Sequence, residues 1–125
     1  MQKYLFIALG GSLGALARFW VGSDVANKWG TRFPYGTFVV NMTACIVIRF
    51  SLEFLSKHTN FNPAWRYLIS TGFIGAYSTF STFEWETFSN LQTGNFLIAA
   101  LYVVLSIFLG LIGVWCGVSI AKVMP

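Results

Sequence analysis

The stretch Gly75-Ala76-Tyr77-Ser78-Thr79-Phe80-Ser81-Thr82-Phe83 places five hydroxyl-bearing side chains and a glycine inside an otherwise apolar segment. If that segment lies in lipid, polar groups there are costly and mark pathways or binding sites. Serine and threonine also offer a helical backbone alternative hydrogen-bond partners. Backbone that leaves the helix at membrane depth is tolerated only where it is buried in protein or lines a water-filled cavity. The stretch therefore predicts a helix broken near its middle. Gly75 to Ser78 reads as the break, and Thr79 to Phe83 as the lining of a pathway.

Outward from this stretch, the chain is built almost entirely of apolar blocks. Of its 125 residues, 56% are hydrophobic and only 10% charged, against about a quarter charged in soluble domains. Tyr67 to Phe83 and Phe96 to Ala121 carry no charge; Tyr4 to Val21 is interrupted by Arg18, and Phe38 to Phe54 by Arg49 and Glu53. A membrane span needs about 20 mostly apolar residues. The blocks predict an all-α membrane protein with four transmembrane helices, roughly 3–22, 35–56, 65–90 and 96–122, in one transmembrane domain covering 1–125. No cleavable signal peptide is expected, because Arg18 sits inside the first block and no small-residue cleavage site follows it.

Several function classes lose support at once. The net charge is +4, but the basic residues are scattered singly, so nucleic-acid binding is not expected. Cys45 and Cys116 sit in apolar blocks without metal-ligand spacing and read as buried thiols. His58, between Lys57 and Asn60 in a polar connection, reads as a solvated loop residue. No nucleophile–base pair is visible, so no enzyme activity is expected.

Four spans put both termini and the second connection on one side, with Lys3, Lys57, Arg66 and Lys122; the other side carries Lys28 and Arg32. This is a weak positive-inside signal. Two readings stand: a modestly oriented protein, or a chain inserted both ways that builds an antiparallel two-fold dimer.

Individual residues carry paired readings. Gly10 and Gly14 form a GxxxG pair that lets helix backbones approach closely. Arg18 lies on the face of Gly11, Gly14 and Ala15; it either snorkels to the interface or attracts anions. Asn41, early in the second span, is either inter-helix glue or a donor aimed into a pore. Phe80, Phe83 and Thr87 share one helical stripe, and Thr79, Thr82 and Glu86 another. Aromatic ring edges are electropositive, so rings interleaved with Ser81 and Thr82 suit an anion without a full positive charge. Glu84 and Glu86 read as solvated or capping carboxylates. Tyr102 and Ser106 are either a satisfied polar pair or part of a polar track.

These residues resemble the Fluc (CrcB) fluoride channels of microorganisms. The resemblance rests on Gly10-Gly11-Ser12-Leu13-Gly14-Ala15 with Arg18, on Gly36-Thr37-Phe38-Val39-Val40-Asn41, and on Gly72-Phe73-Ile74-Gly75 followed by Ser78-Thr79-Phe80-Ser81-Thr82-Phe83. It implies an antiparallel, dual-topology homodimer in the cytoplasmic (inner) membrane that exports fluoride passively through two pores. It further implies that Phe80, Phe83 and Asn41 line the ion path, that Arg18 sits in a vestibule, and that Ser81, Thr82, Tyr102 and Ser106 add hydroxyls. Backbone carbonyls of Gly75 and Ser78 would hold one structural sodium ion at the dimer centre. The chain departs from the family pattern at Ala76 and Arg49, where glycine is usual, and at Ser78, where threonine is usual. The rival is a small multidrug-resistance-type proton-coupled exporter, which needs a carboxylate deep in the membrane; Glu53, Glu84 and Glu86 lie toward segment ends.

Overall fold

A computed structural model describes all 125 residues, and every regular element in it is helical. α1 spans Gln2–Trp29 and α2 spans Tyr35–Lys57. α3 comprises a stretch with π winding, Arg66–Ile74, and the turn Gly75–Tyr77 that continues it. α4 spans Phe80–Gln92 and α5 spans Phe96–Val123. Three of them, α1, α2 and α5, are long and apolar enough to cross a membrane. The residues expected to form the remaining span are divided between α3 and α4. Many large apolar side chains on α1 and α5 are exposed, among them Leu16, Phe19, Leu111 and Trp115. Such a surface is incompatible with water as sole solvent and fits a multi-pass membrane protein.

α1 runs to Trp29, well past the predicted end near residue 22. Nothing between these positions breaks a helix, and Lys28 Nζ lies 2.9 Å from Asp24 Oδ2, one turn back. The stop is Gly30, whose φ of 86° is open only to residues without a Cβ penalty. Pro34 then precedes the first residue of α2, where its missing N–H costs nothing.

Glycines seat the helices against one another. A Cβ on Gly10 would run into the Leu68 carbonyl oxygen, and one on Gly14 into that of Phe73. One on Gly72 would lie 2.8 Å from the Ile7 carbonyl oxygen. The GxxxG pair of α1 thus lies backbone-to-backbone on α3. On the other side, Gly117 of α5 faces the Ile46 carbonyl, and Gly113 packs on Cys45 and Ile46 of α2. The buried core between these seams is Val40, Ala44, Ile74 and Tyr77.

His58 departs from its expected role. It is half-buried, stacked on Phe54 with ring centroids 4.2 Å apart, and its Nδ1 lies 2.9 Å from the Phe54 carbonyl oxygen. The aromatic run Phe50, Phe54 and Phe61 gives the imidazole an apolar surface to cover. Lys57 beside it donates to the carbonyls of Ala121 and Lys122 at 3.0 and 2.8 Å, satisfying the open end of α5.

Candidate functional site: an interrupted helix and neighbouring cavities

Helical backbone ends at Tyr77 and resumes at Phe80. Between them Ser78 (φ −73°, ψ 153°) and Thr79 (φ −146°, ψ 117°) are extended. The interruption is therefore displaced from the predicted Gly75 to Ser78: Gly75 has helical angles (φ −60°, ψ −33°) and the change falls at Ser78 and Thr79. The reason lies across the bundle. Asn41 Oδ1 accepts from the Thr79 amide at 2.8 Å, and Asn41 Nδ2 donates to the Thr79 carbonyl at 3.0 Å. One side-chain amide thus replaces both backbone partners that Thr79 would have in a helix. It leaves one Nδ2 hydrogen uncommitted, so Asn41 acts as glue and keeps a donor to offer.

Thr79 also caps α4. Its hydroxyl oxygen accepts from the Thr82 amide at 3.4 Å, and its hydroxyl donates to Thr82 Oγ1 at 3.0 Å. These choices strip two carbonyls of backbone donors. The amide of Thr79, which a continuous helix would direct to Gly75, goes to Asn41; that of Thr82, which would serve Ser78, goes to Thr79. Neither the Gly75 nor the Ser78 carbonyl receives another backbone hydrogen bond. Unpartnered, hard oxygen donors of this kind suit a hard cation.

Two cavities flank this interruption, and a third neighbours the second. The first, about 280 Å³, is lined by Asn41, Cys45, Ser78, Thr79, Phe80, Phe83 and Ser106 among others. The second, about 390 Å³, is walled by Arg18, Thr37, Thr79 and Thr82. The third, also about 390 Å³, includes Phe33, Thr37, Trp85 and Glu86. Thr79 is common to the first and second, and Thr37 to the second and third. No acidic side chain pairs with Arg18, which lines the second cavity together with Ser23, Thr37, Thr79 and Thr82.

The two phenylalanines separate. Phe83 is buried and packs on Tyr102, centroids 4.9 Å apart, whereas Phe80 is 74% exposed. They remain 5.9 Å from each other and both line the first cavity. Ser106 lines it as well; Tyr102 is fully buried, and its hydroxyl points instead toward Glu86 Oε2 at 3.4 Å. Ser81 is exposed and lines none of the three cavities.

Glu86 is the residue that sequence reasoning undervalued. It is half-buried, accepts from the Thr37 hydroxyl and from Tyr102, and forms part of the third cavity wall. The signal was its place one turn after Thr82, on the hydroxyl stripe. Glu84, in contrast, is exposed.

The architecture and these cavities define a class: a small multi-pass helical membrane protein with cavities beside discontinuous backbone. Within that class the particular family follows from comparison. Residues 5–118 match the family model described as "CrcB-like protein, Camphor Resistance (CrcB)", and the chain belongs to that family. It is 52% identical over 121 residues to a protein of Acidobacterium capsulatum named fluoride-specific ion channel FluC, covering 97% of both chains. A protein of the same name from Solibacter usitatus is 42% identical over 121 residues, covering 97% of this chain and 99% of the relative. One from Flavobacterium psychrophilum is 42% identical over 123 residues, 98% of each.

Proposed function

We propose that this protein is a fluoride-selective channel that passively exports fluoride across the cytoplasmic membrane of a microorganism. The observation that carries this reading is the pair of cavities that share Thr79 at the interruption, one walled by Arg18 and the other by the two phenylalanines. The names of its relatives give the ion. Fluoride is small and strongly hydrated, so desolvation is the barrier. The free Asn41 N–H, the hydroxyls of Thr82 and Ser106, and the edges of Phe80 and Phe83 replace its water with several weak donors. Weak, closely spaced donors favour entry and still permit exit. Arg18 raises the local anion concentration at the second cavity.

The working unit is an antiparallel homodimer with two pores. Phe80, exposed on one protomer beside the first cavity, supports this: a second copy would cover it and complete the wall. In that unit α3 and α4 together make the fourth span, broken at Ser78 and Thr79. The Gly75 and Ser78 carbonyls, with their counterparts, would hold a sodium ion at the symmetry axis, where a shared ion needs few ligands from each chain.

The exporter alternative is disfavoured. Glu86 does face inward, but it is held by Thr37 and Tyr102 beside an arginine-lined cavity, a poor setting for a cation. Purified protein in liposomes, followed with a fluoride electrode, is expected to release fluoride and retain chloride. Phe80→Ile and Asn41→Asp are each expected to cut fluoride efflux more than tenfold while the dimer persists. Wild-type efflux with both variants would defeat this assignment of the pore.

A further inference from the structure

We infer that Arg49, steadied by Glu53, is an anion-attracting relay on the pore-facing stripe of α2. This rests on the channel reading above and extends the path beyond the first cavity, toward the end of the molecule that carries Lys57 and Lys122.

The argument begins with register. Asn41, Cys45 and Arg49 follow one another at successive four-residue intervals along α2 and so share a stripe. Asn41 and Cys45 both line the first cavity. Cys45 also meets α5, where a Cβ on Gly110 would sit 3.4 Å from its Sγ. Arg49 is the next residue on that stripe, one turn further along. Lys57, which closes α2, is about 12 Å beyond Arg49 at the helical rise of 1.5 Å per residue.

A charge two turns inside a membrane span is expensive, and such residues face a cavity or the bundle interior and find partners. Arg49 has its partner: Nη2 lies 3.3 Å from Glu53 Oε2, one turn closer to the helix end. That contact occupies one of five guanidinium donors. The Arg49 side chain keeps 45% of its surface exposed, against 20% for Glu53. Arg49 lies beyond the lining of the first cavity and is the more accessible member of the pair. Arg49 is the first full positive charge that an anion leaving Ser106 and Cys45 in this direction meets, and Glu53 keeps it from trapping that anion.

Coulomb's law sizes the effect. With an effective dielectric of about 20, a charge about 12 Å from an ion near Asn41 changes its occupancy about tenfold, and one about 18 Å away about fivefold. Arg49→Gln, which leaves Glu53 alone, is expected to lower fluoride efflux at sub-saturating fluoride about tenfold. Arg49→Gln combined with Glu53→Gln removes both charges and is expected to lower it only about twofold. Glu53→Gln alone is expected to lower the half-saturating fluoride concentration about fivefold, and Arg49→Lys to keep efflux near wild type.

The experiment measures initial fluoride efflux per reconstituted protein, over a range of fluoride concentrations, in neutral phosphatidylcholine liposomes. Wild type and Phe80→Ile are run alongside. Wild-type protein that passes no fluoride overturns the channel reading itself. Wild-type efflux that is unchanged in Arg49→Gln and in the double variant overturns the relay alone and leaves Arg49 as a lipid-facing pair. Should Arg49→Gln assemble poorly, a half-saturation in Glu53→Gln equal to wild type overturns the relay by itself.

Discussion

Backbone along α3 is met in two different ways. On the α1 side the π-wound stretch Arg66–Ile74 lies against Gly10 and Gly14 with no side chain between the two backbones. One turn later, at Ser78 and Thr79, the backbone leaves the helix and a single side chain, Asn41, takes over its hydrogen bonds. The seam gains from close van der Waals packing and tolerates no added atoms. The interruption gains from polar satisfaction and leaves space around it, which is where the cavities lie. A close-packed seam and a cavity-lined interruption are thus adjacent along the chain, supplied by different chemistry.

The strongest way to break this contrast is to add atoms to the seam. Gly14→Val drives a branched side chain into the Phe73 carbonyl. The expected cost is more than about 3 kcal/mol, the upper range of overpacking. Thermal unfolding in detergent, with the monodisperse fraction recovered after purification, checks it; an unchanged midpoint would show that the seam opens freely.

Asn41→Ala attacks the other side of the comparison. It deprives Thr79 of partners for both its N–H and its C=O. Unpaired buried groups cost about 1–3 kcal/mol each, but the neighbouring cavities give water access to Thr79. The expected destabilisation is therefore about 2 kcal/mol, less than at the seam. Asn41→Asp separates the roles, because it keeps the acceptor for the Thr79 amide and loses the donor. A destabilisation of Asn41→Ala equal to that of Gly14→Val would remove the distinction between a packed region and a wet one.

The contrast also explains what could be read from the chain. The seam was legible because Gly10 and Gly14 encode close approach locally, on one helix. The existence of an interruption was legible because glycine and hydroxyls cluster at 75–82. Its position was not, because glycine permits a break without imposing one. The choice is made by Asn41, 38 residues away in sequence. The end of α1 was misjudged for a related reason: leaving the membrane does not end a helix, and only Gly30 does. The stripe of Phe80, Phe83 and Thr87 lies on α4, as do Thr82 and Glu86, which stand on neighbouring cavities, but Thr79 precedes the helix in extended backbone. Which stripe faces protein was not legible, since two extended residues reset the phase of α4 relative to α3. That is why Glu86 looked like a surface carboxylate and why Phe80 and Phe83 parted company.

A finer test concerns Thr79, where interruption and restart of the helix coincide. Its backbone belongs to Asn41, and its hydroxyl caps α4 through the Thr82 amide at 3.4 Å and Thr82 Oγ1 at 3.0 Å. Thr79→Val keeps shape and volume but loses the cap, at an expected cost of about 1 kcal/mol; Thr79→Ser restores the hydroxyl and is expected to recover most of it. The hydroxyl also belongs to the wall shared by two cavities. Fluoride efflux through Thr79→Val is therefore expected to fall by more than its stability loss explains, with recovery in Thr79→Ser. If both variants match wild type in stability and efflux, the cap is idle and Asn41 alone holds the interruption open. Loss of stability with unchanged efflux would make the hydroxyl a structural cap only, and would move the ion path off this wall.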